Sequence, residues 1–94
     1  MESERIEKWE DFFFQVSKHI KSYCEPQYGN PSGDEQVDNF TTEDCWQNIQ
    51  RYYNRRNSCV RGNKEKLRDA IKVAHYAQFI YDKLKAELGE EDVY

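Results

Sequence analysis

Apolar residues in the first quarter of the chain recur at alternating spacings of three and four: Ile6, Trp9, Phe13, Val16, Ile20 and Tyr23. At 3.6 residues per turn this places all six on one stripe of a helix, a pattern that a strand with its period of two cannot use. Ser3 stands at an N-cap position, and Glu4 and Glu7 lie near the positive end of the helix dipole. A first helix is therefore predicted over about residues 3–24. Phe12 flanks the stripe. Phe14 lies off it, toward Glu7, Lys18 and Lys21; either a loop covers this ring or it makes a contact between subunits.

The pattern stops at Glu25. Pro26, Gly29, Pro31 and Gly33 break it and Asp34, Glu35 and Asp38 keep the segment wet, which predicts an irregular connection over 25–40. A connection of that length is either functional or mobile. Its Tyr28-Gly29-Asn30-Pro31-Ser32-Gly33 run is no phosphate loop, since the Gly-Lys-Ser/Thr ending and a preceding strand are both missing. Val37 and Phe40 are placed to pin its second half to the core.

Helical spacing resumes at Thr41 and Thr42, where Thr41 and Asp44 resemble a capping box with Asp in the usual Glu place. A second helix is predicted over about 42–56, with Cys45, Trp46, Ile49, Tyr52 and Tyr53 on its buried side and Asn57 as terminator. A turn over 58–62 follows, with Val60 as a plug. Asn63 caps a third helix over about 63–88, which Gly89 ends. Leu67, Ala70, Ile71, Ala74, Ala77, Tyr81, Leu84 and Leu88 share one face of it, widened by Val73 and Ile80. Residues 89–94 read as an acidic tail. The expected fold class is all-α: one three-helix domain, 1–94, with a long irregular loop between the first and second helices. Only 37 % of its residues are hydrophobic but 15 % are aromatic, so the core should be small and ring-rich.

Charge is strongly segregated. Residues 1–44 carry −7, residues 45–75 carry +6 and residues 76–94 carry −3, within a net charge of −4. The acidic total argues against indiscriminate coating of DNA, while the basic centre can focus a phosphate-bearing ligand at one place. Asn48, Arg51, Tyr52 and Arg55 fall at i, i+3, i+4 and i+7 and share a helix face, with two guanidiniums one turn apart suited to phosphate or carboxylate. Arg61, Lys64 and Arg68 supply the surrounding field, and the N-terminus of the third helix adds backbone donors. The alternative is that these arginines pair with the protein's own acids. Arg56 points toward the core side, where it needs a carboxylate partner or an escape to solvent.

A second stripe, Arg68, Lys72, His75, Tyr76, Phe79 and Lys83, mixes cations and rings in the manner of single-strand or nucleoside binders. Tyr76 and Phe79 are read in preference as buried against the first helix or a second subunit, since aromatics at helical spacing are usually core or interface. Helical magnesium-dependent nucleotide pyrophosphohydrolases need two paired-carboxylate motifs, and only Glu4, Glu7 and Glu10 offer the first spacing. No residue set specifies a reaction, and no cofactor or metal is expected. Cys24, Cys45 and Cys59 form no Cys-x-x-Cys pair and are read as structural or incidental rather than as zinc ligands. With no signal-like or membrane-spanning run, a reduced cytoplasmic setting is expected.

The stretch 45–84 resembles a family of small bacteriophage and prophage helical proteins whose pattern is Asn-x-x-Lys/Arg-Tyr-x-x-Arg, a basic turn, then Glu-x-Leu-x-x-Ala. Asn48, Arg51, Tyr52 and Arg55 match the first part and Glu65, Leu67 and Ala70 the second. Asp69 stands where that pattern tends to have Lys. The family is mostly of unknown function, although one phage member is a nucleotide kinase without a Walker motif. The resemblance implies a nucleotide-related role; together with the spacing and charge it gives the expectation of a phosphorylated ligand, nucleotide before nucleic acid, at Asn48, Arg51, Arg55, Arg61, Lys64 and Arg68. The competing expectation is a structural or regulatory module that self-associates through Phe14, Tyr76 and Phe79.

Overall fold

The computed structural model describes residues 3–25, 39–58 and 62–94. Among these the protein is all-α: α1 (Glu4–His19) runs into one π-helical turn (Ile20–Cys24), and α2 (Thr42–Asn54) and α3 (Asn63–Leu88) follow, with no strand. Most of the expected irregular connection lies outside the described residues, as do Cys59, Val60 and Arg61. No described helix is long and apolar enough to cross a membrane. The chain divides into two compact units, Met1–Asp38 and Asn39–Tyr94.

In the first unit the Ser3 hydroxyl accepts the Ile6 N–H at 3.2 Å, as its cap position requires. The helix reaches Cys24 as expected, but its last five residues are wound as a π-turn. The wider winding brings residues five apart together, so Cys24 Sγ lies 3.4 Å from His19 Nε2. Trp9, Phe13 and Phe14 stay exposed, Phe14 at 63 %. Trp9 leans on Phe12, with ring centroids 5.8 Å apart.

The second unit is a hairpin of α2 and α3. The Thr41–Asp44 capping box is complete: the Asp44 N–H donates to Thr41 Oγ1 at 3.1 Å and the Thr41 N–H donates to Asp44 Oδ2 at 2.9 Å. After Asn54 the chain leaves α-geometry, with the Arg56 N–H bonded to the Tyr53 carbonyl and the Ser58 N–H to the Arg55 carbonyl. Asn63 is the first residue of α3 rather than its cap. The cap position belongs to Gly62, whose φ of +83° suits a residue without Cβ. Gly89 closes α3 at φ +71°, donating its N–H to the Lys85 carbonyl at 3.0 Å.

Among the described residues the buried positions are few: Cys45, Tyr52 and Ile80. Around Ile80 the half-buried side of α3 holds Asp69, Lys72, Val73, Tyr76 and Phe79. Leu67, Ala70, Ala77, Tyr81, Leu84 and Leu88, which dominate the expected apolar face, are exposed, and so are Trp46 and Tyr53 of α2. The helix is rotated from its most apolar stripe because the Tyr52 ring meets Tyr76, centroids 6.2 Å apart, and Arg55 meets Asp69.

Burial pushes the Cys45 thiol above its ordinary range; nearby Lys83 opposes this and Asp44 adds to it. The unfolded thiol thus ionises at lower pH than the folded one, so this contribution to stability is complete at neutral pH and declines as pH rises into the thiol range. Iodoacetamide at mildly alkaline pH should alkylate Cys45 at least ~10-fold more slowly in the native protein than in urea. Peptide mapping by mass spectrometry reads this, and equal rates would place Cys45 outside the core.

Candidate anion-binding site

Arg55, at the end of α2, meets Asp69 of α3, and the Tyr52 ring lies beside Arg51, Arg55 and Lys72. Arg55 forms a two-pronged pair with Asp69, Nε to Oδ2 at 2.9 Å and Nη2 to Oδ1 at 2.5 Å. Their side chains are 27 % and 14 % exposed, so the pair is only partly screened by water. The bond to Asp69 raises the guanidinium's pKa further above its already high value, against the opposing pull of desolvation. Arg55, expected to grip an external phosphate, is thus engaged within the hairpin.

Glu65 answers two more cations: Lys72 Nζ lies 3.2 Å from Oε1 and Arg68 Nη1 lies 3.3 Å from Oε2. The two acids inside the basic segment therefore engage three of its cations. Asn48 donates its amide to the Asp44 carbonyl at 3.0 Å, which occupies one of its two N–H groups. Arg51 differs. It is exposed, donates to the Tyr52 hydroxyl at 3.2 Å and pairs with no carboxylate among the described residues. Lys64 is exposed in the first turn of α3, also without an ion pair among the described residues. Arg61 lies outside them.

Three cations gather on the buried Tyr52 ring, with Arg55, Arg51 and Lys72 at 4.8, 5.1 and 5.9 Å from its centroid. Each keeps N–H groups beyond those used in pairing, because a guanidinium has five and an ammonium three. The cluster can therefore accept a compact anion without breaking its own pairs. Tyr76 and Phe79 pack edge-on at 5.7 Å, and His75 lies 4.3 Å from Phe79, so these rings serve one another as well as any ligand.

A groove of about 370 Å³ also opens between the helices, lined by Ile49, Tyr52, Tyr53, Ala70 and Val73 together with Arg56, Lys66 and Asp69. Arg56 takes the escape to solvent expected of it: Nη1 donates to the Tyr53 carbonyl at 2.8 Å and the guanidinium sits 3.9 Å from the Tyr53 ring centre. The pairing roles of Glu65 and Asp69 were missed in the sequence reading. Glu65, Arg68 and Lys72 at i, i+3 and i+7 share a face and could have been read; Arg55 and Asp69 are fourteen apart, and no spacing rule joins them. No family model, curated protein or solved structure matches the chain.

Removing either partner of the Arg55–Asp69 pair strands a partly buried charge. Arg55→Gln and Asp69→Asn should each lower stability by about 1–3 kcal/mol, with less than the summed loss in the double variant. Urea unfolding checks this, and strictly additive losses would show the fork to be energetically idle.

Proposed function

We propose that the hairpin binds a phosphorylated ligand, nucleotide before nucleic acid, at the cation cluster around Tyr52. The observation that carries the reading is Arg51: an exposed guanidinium beside Lys72 and Arg55 with no carboxylate partner among the described residues. Arg51, Lys72 and Arg68 contact the phosphate, and Lys64 and Arg61 supply field. Arg55 is a positioning residue, because its fork to Asp69 sets the spacing of the two helices. Asn48 offers the ligand its carbonyl and one free N–H. The compactness of the cluster favours one phosphate group over a track of them. The resemblance of residues 45–84 to small phage helical proteins, one a nucleotide kinase, points the same way, and a cytoplasmic setting belongs to this proposal.

Titration with a nucleoside diphosphate, followed by amide chemical shifts, tests the site. Shifts should concentrate at the facing turns of α2 and α3, and Arg51→Gln should weaken binding about tenfold with an unchanged helical CD spectrum. No shift on adding nucleotide to the wild type overturns the reading. Tighter binding of an oligonucleotide with a steep salt dependence would replace the nucleotide by nucleic acid.

A second reading, a self-associating interaction module, is favoured by the exposed rings Trp9, Phe13 and Phe14 on α1. Tyr76 and Phe79, half-buried against neighbouring rings, offer such an interface less surface than Phe14 does.

A further inference from the structure

The side of α3 turned away from Tyr52 carries Leu67, Ala70, Ala74, Ala77, Tyr81, Leu84 and Leu88 at spacings of three and four in strict alternation. This is a seven-residue repeat sustained for three turns of the pattern, the seam by which one helix pairs with another. All of these residues except the half-buried Ala74 are exposed, Leu67 and Leu88 at 69 % and Tyr81 at 46 %. The 26-residue helix presents this seam over about 32 Å, from Leu67 to Leu88, with large residues at both ends and alanines between them.

We infer that this seam is covered by α3 of a second copy running antiparallel, in the register that sets Leu67 against Leu84, Ala70 against Tyr81 and Ala74 against Ala77. The inference rests on the self-association reading and gives it a surface distinct from Phe14. Two observations select this occupant. Tyr81 of the second copy faces small Ala70 on the wall of the 370 Å³ groove, beside Tyr53, Lys66 and Val73. Net charge differs between the two ends of α3: residues 63–69 carry +1 and residues 82–92 carry −3. An antiparallel neighbour places the positive end of one helix beside the negative end of the other.

The same register brings Lys66 against Glu87 of the second copy, twice in a symmetric dimer, while a parallel pair would gather like charges at each end. Lys64 and Lys85 meet on the outer edge, so the choice of register rests on Lys66 and Glu87. Neither residue forms an ion pair among the described residues, and both are exposed, so their exchange leaves the hairpin intact. The groove used takes in Ile49, Tyr53 and Arg56 of α2 and shares Tyr52 and Asp69 with the cation cluster, but Arg51 does not line it.

Sedimentation equilibrium of the full chain over a range of concentrations tests this. The wild type should dimerise in the micromolar range, and Ala77→Glu, at an exposed position, should give a monomer with unchanged helical CD. Lys66→Glu and Glu87→Lys should each weaken the dimer about tenfold or more, and the two together should restore it. A wild type still monomeric at ~100 µM overturns the inference. A dimer indifferent to Ala77→Glu also overturns it while leaving self-association through α1 in place, and failure of the double exchange to restore dimerisation overturns the antiparallel register.

Discussion

The fork between Arg55 and Asp69 is the interaction on which the described hairpin turns. It joins the end of α2 to the second turn of α3 beside the buried Tyr52 ring, and few other groups there are buried: Cys45 and Ile80 complete the set. With so little apolar burial, a partly buried ion pair has unusual influence on which side of α3 faces α2. Two charges removed from water are tolerated only when their geometry is good, and the two-pronged arrangement supplies that geometry. The consequence is an α3 rotated so that acids and cations line the helix contact while leucines and a tyrosine face outward.

That rotation shapes the functional reading. Glu65 and Asp69 are the only acids among the ten charged residues of the basic segment, and among the described residues they pair with Arg55, Arg68 and Lys72. Charge segregation in this chain is therefore partly an internal matter. The remainder among the described residues is Arg51 beside the Tyr52 ring, Arg56 and Lys66 along the groove and Lys64 at the start of α3. A local excess of this size suits a small anion, and the aromatic groups beside it are engaged with one another. The groove beside Tyr52 has different chemistry, mostly apolar walls with Arg56, Lys66 and Asp69 among them, and suits a side chain from another helix.

The helices and their ends were legible residue by residue. Ser3, the Thr41–Asp44 box and Gly89 act within three or four residues of themselves, so their roles follow from local sequence alone. Asn63 was misread as a cap because a polar side chain and a glycine compete for that position, and the positive φ at Gly62 decides it. The site was legible only in part. Asn48, Arg51 and Arg55 do share a face, but which of them remains open to a ligand depends on Asp69, fourteen residues from Arg55.

The sequence by itself determined an all-α chain, the approximate span of each helix and the concentration of positive charge between residues 45 and 75, because periodicity, capping and charge act over single turns. Only the tertiary structure decided which face of α3 is covered, which arginine is held and which is exposed. Those outcomes follow from competition between helix faces for one partner. An ion pair and a tyrosine contact won it over a more apolar stripe, and no local pattern records such a contest.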